Sequence, residues 1–346
     1  MGAPDMTAAT EDARAAALRD WLKGRPGRFE GLELLRADAS FRRYFRARRD
    51  GEPVVIMDAP PEREPVDAFL RIARLLQALG QRPPRIHDED PQAGFVVLED
   101  LGDRTFTRAL ADGEDESALY QRAIDRLVEL HRAWPGHPAQ ETPPLPAYDT
   151  ARLLDEARLF IDWHVPDITR EPPGDAARSA WETAWTRTLE ALPPLTPVLV
   201  LRDFHVDNLM IPPEGTGCAL LDFQDAVLGS PAYDVVSLLE DARRDVSPAV
   251  VQEALARYLR GTTWSQEAFR AHYRVLGAQR ATKILGIFTR LHRRDGKPDY
   301  RRHEPRLHRL LRRGLAHPEL SPVADWMRQH LPQNPATPAT PAGNPP

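Results

Sequence analysis

Apolar positions fall at helical spacing over residues 11–23, where Ala15, Leu18, Trp21 and Leu22 share one side. From residue 29 to residue 60 the period shortens. Leu32, Leu34, Tyr44, Phe45 and the run Val54–Val55–Ile56–Met57 sit in short clusters around "ADAS" and "RDGEP". Asp50–Gly51 is a hairpin turn signal between two such clusters, so this region predicts a small antiparallel sheet. Phe69, Ile72, Leu75, Leu76 and Leu79 return to helical spacing, with Gly80 as the stop. "GFVVLEDLG" (94–102) predicts a strand that runs into a connector.

Beyond the connector the pattern is mostly helical. Residues 116–133 carry Leu119, Ile124, Leu127, Val128 and Leu130 on one stripe, and 149–163 and 175–192 repeat the theme. Proline punctuates between them at 143–146 and 172–173. Short strands are expected around 198–222, then helices at 232–243, 247–259, 265–293 and 303–331. The tail "PQNPATPATPAGNPP" has no periodicity and reads as disordered. The layout is α+β. A small N-terminal lobe (1–98) with an antiparallel sheet meets a connector (99–102), a plausible hinge over a cleft. A larger, mostly helical C-terminal lobe (103–333) and a disordered tail (334–346) follow. His131, Trp134 and Trp163 sit among apolar neighbours at helical spacing and read as core.

Composition narrows the classes. With 346 residues the chain can bury a full core without staples. Its net charge of −5 argues against a general nucleic-acid binder. Only Lys23, Lys283 and Lys297 are lysines among 46 basic residues. In so arginine-rich a chain one arginine says little, whereas an absent lysine says more. Cys218 is the only cysteine, which excludes an intrachain disulfide and suits a reducing compartment. The first residues lack a signal-peptide pattern, and no apolar run approaches the ~20 residues that cross a bilayer. A soluble cytoplasmic protein is expected, without a membrane or nucleic-acid partner.

The candidate chemistry lies in "VLVLRDFHVDNLMI" (198–211), where Asp203, His205, Asp207 and Asn208 interrupt two apolar runs. "GTGCALLDFQDA" then turns the chain back and delivers Asp222 after a strand. Such a hairpin would bring Asn208 near Asp222, with Asp203 on the loop entering it. Turn preference accounts for any one Asp or Asn, but not for three hard oxygen-bearing side chains in this order. Mg²⁺ favours such a set, completed by water and phosphate. Asp203 is then free to accept a hydrogen bond from an attacking hydroxyl, which is what phosphoryl transfer requires.

At "LRDFHVDN" and "LLDFQDA" the chain resembles the aminoglycoside phosphotransferase-like kinases, relatives of the protein kinases. The resemblance implies a bilobal kinase-like fold with ATP between the lobes. It gives Asp203 the catalytic role and Asn208 and Asp222 the Mg²⁺. His205 falls on the inner His of the motif, a scaffold that ties the loop to the core and also a substrate-side candidate. Asp234, in "GSPAYDVVSLL", would anchor the loop or cap a helix. The adenine edge is expected on the main chain between Glu99 and Leu101, where connector groups are otherwise unpaired.

Two positions depart from that family's pattern. Leu201 stands where the motif begins with His. "PVVIMDAP" places Met57 where a kinase lobe carries its phosphate-binding lysine, and no lysine occurs between 24 and 282. Either the chain is a non-catalytic nucleotide-binding pseudokinase, or arginine serves instead. Arg42 and Arg43 follow "ADAS", where a phosphate-covering turn should lie, and Ser40 with its neighbouring amides completes that candidate site. The segments "SFRRYFR", "VVIMDAPPE" and "KILGIFTRLHRRDGKPDY" are also similar to the bacterial cell-wall recycling sugar kinases, whose strand likewise reads "MDAP". Those phosphorylate the anomeric hydroxyl of N-acetylmuramate and N-acetylglucosamine, so the resemblance implies a sugar substrate alongside ATP.

Over 277–294 a stripe of Arg280, Lys283, Ile287, Arg290 and Arg294 runs beside an apolar one. It suits either a solvated helix face or contact with an anionic sugar, which makes Arg280, Lys283 and Arg290 substrate candidates. Asp225, Glu240, Asp241 and Asp245 keep a cationic aminoglycoside open; choline and homoserine are the other small-alcohol alternatives.

Overall fold

The computed structural model describes residues 6–35, 41–137 and 144–332. Ser40 and the tail from 334 lie outside the described residues. The chain runs α1 (Met6–Lys23), β1 (Phe29–Leu34), β2 (Arg43–Arg49), β3 (Glu52–Asp58), α2 (Asp67–Ala78), β4 (Ile86–Asp90), β5 (Phe95–Glu99) and α3 (Phe106–Ala111). Next come α4 (Glu116–Ala133), α5 (Thr150–Leu159), a π-helical turn (Phe160–His164), α6 (Val165–Thr169), α7 (Asp175–Glu190) and β6 (Val198–Val200). β7 (Leu209–Met210), β8 (Ala219–Leu220), β9 (Val227–Gly229), α8 (Ala232–Leu239) and α9 (Pro248–Gly261) lead to α10 (Gln266–Arg293), α11 (Glu304–Leu315) and α12 (Ser321–His330).

Two compact units divide the chain. One comprises Met1–Gly113 and Asp207–Asp225, the other Glu114–Val206 and Ala226–Pro346. The breaks therefore fall at 113/114, 206/207 and 225/226, and the connector at 99–102 lies inside the first unit.

The first unit is built on a five-stranded antiparallel sheet in the order β1-β2-β3-β5-β4. Asp50 and Gly51 both take positive φ, 53° and 88°, the conformation a two-residue hairpin loop needs to match strand twist. Phe45, Ala47, Val54, Ile56, Phe95 and Val97 form a core with Leu18 and Leu22 of α1 on one face. Alternation turns Tyr44, Arg46, Val55 and Met57 to the opposite face. β4, the acidic "IHDED", was not anticipated from pattern. It is an edge strand, where charge discourages further pairing and apolar alternation is not required. The β7–β8 hairpin belongs to this unit. Its backbone bonds Arg82 O (from Leu220 N, 2.9 Å) and Arg104 O (from Ile211 N, 2.8 Å), and Met210 and Ala219 pack on Leu101.

The second unit is mostly helical around α10, which is buried along nearly its whole length. A Cβ on Gly286 would lie 2.3 Å from the Leu159 carbonyl carbon, so only glycine lets α10 approach α5 this closely. The helix expected over 149–163 shifts into a π turn at Phe160, and the one expected over 303–331 is broken at Pro318, which cannot supply an interior helix hydrogen bond. The fold class is α+β, an antiparallel sheet followed by mostly helical structure, as the pattern predicts.

Candidate active site

The segment from Leu201 to Val206 hangs on one buried carboxylate in the second unit. Asp234 accepts the Leu201 amide on Oδ2 (2.7 Å) and the Arg202 amide on Oδ1 (2.9 Å). Burial pushes its carboxyl up to about 7, while the two amides pull it down. Arg202 takes φ +72°, a left-handed conformation that costs on the order of 1–3 kcal/mol outside glycine. Several contacts hold it there. Its carbonyl accepts Ser237 Oγ (3.1 Å) and Arg280 Nη1 (3.3 Å), and its guanidinium donates to Glu156 Oε1 (2.7 Å). The next residue is Asp203, half-buried. Burial works to raise its pKa, but Arg280, Lys283, His205 and Arg202 outweigh burial and hold it below the usual carboxylate range. Asp203 is therefore ionised at neutral pH and suited to accept a hydrogen bond that orients a hydroxyl.

His205 is buried in the same unit, and burial lowers its pKa despite Asp241 nearby, so it is neutral at pH 7. That placement fits a loop support. Lys283 and Arg280 are buried rather than solvated. The Lys283 ammonium donates to Glu156 Oε1 (2.8 Å) and the Tyr233 hydroxyl (3.3 Å), and Tyr148 donates to the other Glu156 oxygen (2.5 Å). The solvated-face alternative thus fails for both, and the charge of Lys283 is matched inside the protein. Arg290 lies two turns further along α10 and is half-buried. Glu156, Tyr148 and Tyr233 had no sequence signal; Glu156 and Tyr233 reach this network because α5 and α8 pack on α10, and Tyr148 because its amide is held by Leu228 O just before α5.

In the first unit the register Leu209↔Leu220 brings Asn208 and Asp222 together at the strand ends, 3.4 Å apart between Nδ2 and Oδ2. Gln224 donates to Asp222 Oδ1 (2.8 Å), and Phe223 stacks on Phe69 of α2 with ring centroids 5.1 Å apart. Asp222 itself takes φ +56°. Asp207 is bonded to Thr107 of α3. Among the described residues no three His, Cys, Asp or Glu side chains form a ready-made metal cage. A carboxamide and a carboxylate side by side fit Mg²⁺, which binds few protein oxygens and fills the rest of its shell with water and phosphate.

The sheet carries no lysine. Met57 is fully buried opposite Tyr44. Arg43, expected beside the phosphates, is turned to the α1 face, because strand alternation places it with Phe45. There it donates to Asp58 (3.1 and 2.5 Å), which Arg14 of α1 also binds. Arg42 lies on the other face. Its Nη2 sits 3.0 Å from Glu64 Oε1, and it hydrogen-bonds the Tyr44 phenol. Burial above all, with Asp222 and Glu64 adding to it, pushes that phenol up to about 12 against the pull of Arg42.

At the connector, Glu99 is engaged through both its amide and its carboxylate. Its amide donates to Arg85 O (2.8 Å) within the sheet, so it has no donor left for an adenine edge. Its carboxylate takes both Arg82 nitrogens (2.6 Å each) and the Arg85 amide (3.1 Å). Burial opposes these arginines but loses, and the group lies at about 2. Leu101, two residues on, is buried against Met210 and Ala219.

Residues 31–272 match the phosphotransferase enzyme family (APH). An N-acetylmuramate/N-acetylglucosamine kinase of Neisseria meningitidis serogroup B is 38% identical over 328 residues, covering 90% of this chain and 94% of that protein. A protein of the same name from Caulobacter vibrioides is 37% identical over 336 residues, covering 87% and 92%. Among solved structures, choline kinase LicA from Streptococcus pneumoniae shares the fold with a TM-score of 0.61 at 14% identity, over 87% of this chain and 98% of its own. No helix among the described residues is long and apolar enough to cross a membrane.

Proposed function

Because the chain belongs to the phosphotransferase enzyme family, we propose that it is an ATP-dependent kinase acting on the anomeric hydroxyl of N-acetylmuramate and N-acetylglucosamine, in the cytoplasmic recycling of cell-wall sugars. Relatives carrying that name match it over about nine-tenths of its length, which supports the substrate class. The observation that carries the chemistry is the ionised Asp203, ringed by Arg202, Arg280 and Lys283 on a loop pinned by Asp234.

The sugar O1–H donates to the Asp203 carboxylate. O1 attacks the γ-phosphorus of ATP, the bond from that phosphorus to the β–γ bridging oxygen breaks, and ADP leaves with the bond's electron pair. The proton passes to Asp203 and on to solvent. An anomeric hydroxyl is more acidic than an ordinary alcohol, so an aspartate of low pKa suffices to orient it. Asn208 and Asp222 would hold Mg²⁺, which when bound offsets the charge on the phosphates. Leu101 offers its main chain to the nucleotide base, the Glu99 amide being already taken.

The test is a panel of sugars and alcohols with ATP and Mg²⁺, products identified by phosphorus NMR. The expected product is an acid-labile sugar 1-phosphate from both amino sugars. Phosphorylation of choline or an aminoglycoside alone, or at a non-anomeric hydroxyl, would overturn the substrate assignment.

A further inference from the structure

A kinase needs a fixed cation against the nucleotide phosphates, and protein kinases supply it as a strand lysine paired with a glutamate of the helix that follows. This chain has Met57 at that place and no lysine between Lys23 and Lys283. Arginine is the cation left on this strand region, and the arginines at 42–49 sort by face. Arg43 is on the α1 face, locked to Asp58 beside Arg14. Arg46 is on the right face but is matched by two carboxylates, Asp100 (2.7 Å) and Asp103 (2.9 Å). Arg48 and Arg49 bond the carbonyls of Gly51 and Pro26 near the hairpin end.

Arg42 is different in three ways. Alternation puts it on the face of Tyr44 and Met57, where the lysine would have been. It is only 6% exposed, and it forms an ion pair with Glu64, a carboxylate on the segment leading into α2. Glu64 is itself held by the Phe41 amide (3.1 Å). Finally, Arg42 hydrogen-bonds the Tyr44 phenol on that same face.

We propose that Arg42 takes the place of the missing strand lysine: its guanidinium binds the nucleotide phosphates, and Glu64 and Tyr44 orient it. Arginine suits the task because its planar fork matches phosphate oxygens. The ion pair has moved one strand over while keeping its face and its helix-side carboxylate. Arg43, the neighbour in sequence, is structural. This inference rests on the kinase reading above.

Binding of ADP, ATP and adenosine to the full-length protein, followed by titration calorimetry with Mg²⁺ present, tests it. Losing one charge-assisted contact should weaken ADP and ATP binding by about ten-fold or more in Arg42→Gln, with adenosine unchanged. Arg42→Lys should recover most of the loss. In Arg43→Gln the melting temperature should fall while the ADP affinity of the folded protein stays within about two-fold, since its guanidinium is turned to the α1 face, where it binds Asp58. If Arg42→Gln does not fold, Glu64→Gln decides: ADP should weaken by about three-fold with adenosine unaffected, as one orienting hydrogen bond predicts. Unchanged ADP affinity in the folded Arg42→Gln or Glu64→Gln protein, or a loss confined to Arg43→Gln, overturns the assignment and leaves the kinase reading standing. A wild-type protein that binds neither ADP nor ATP overturns the kinase reading itself.

Discussion

The loop at Leu201–Asp203 in the second unit and the β2–β3 region of the first solve the same kind of problem in different ways. Each must hold charge in a fixed place. The loop does so with residues adjacent in sequence: Leu201, Arg202 and Asp203 are set by one carboxylate, Asp234, and one left-handed turn. The sheet does so by choice of face. Arg42 and Arg43 are neighbours, yet one joins Glu64 and Tyr44 and the other joins Asp58 and Arg14. A loop ties a function to a position in the chain. A sheet ties it to a face, and a charge can pass from one strand to the next provided the face is kept.

The loop side of this comparison breaks first at Asp203. Asp203→Asn should lower turnover by roughly 10²–10⁴-fold, with nucleotide affinity held within a few-fold; steady-state rates and calorimetry check both. Near-normal turnover would remove the loop from the chemistry.

A second effect is on stability. Glu156 balances Lys283 and Arg202, so Glu156→Gln leaves buried cations uncompensated, at a cost of about 3 kcal/mol. Adding Lys283→Met should return part of that loss. Urea unfolding of the single and double variants measures the coupling, and additive losses would show that charge balance is not what Glu156 provides.

A third is the pH dependence of unfolding. Burial pushes His131 and His164 down to about 3 and His308 to about 4. All three are in the second unit. The unfolded chain takes up protons near the ordinary 6.5 and the native state does not, so stability should be full above about 6.5 and fall as pH drops towards 3. Melting temperatures across that range test it, and a flat profile would mean these imidazoles are charged in the native protein.

The smallest effect is expected at the connector. The Glu99 side chain is used by Arg82 and Arg85, so Glu99→Gln should change the KM for ATP by less than about five-fold, the range of a partly exposed ion pair. A larger change would bring that carboxylate into nucleotide recognition.

The difference between loop and sheet also governs what was legible in the chain. The sequence pattern located α2, α4, α9 and α10 within a few residues, because their apolar stripes repeat over several turns. It missed β4, whose acidic residues suit an edge, and the π turn at Phe160, next to the Leu159 backbone that packs on Gly286 of α10. Asn208 and Asp222 could be paired from their positions at the two ends of one predicted hairpin. Arg42 could not be told from Arg43, since the masking of a strand's two faces is lifted only by its register. Glu156, on α5, gave no sign of its partner 127 residues away on α10.

By itself, then, the sequence determined the class of fold, the order of the chemical groups from Asp203 to Asp222, and the absence of a strand lysine. These follow from periodicity and short spacing, which the backbone converts directly into local geometry. Tertiary structure alone decided which arginine faces Tyr44, that Lys283 is matched by Glu156, and that Glu99 has no free amide. Each depends on strand register or helix packing between distant segments, and no local rule fixes which face a charge will meet.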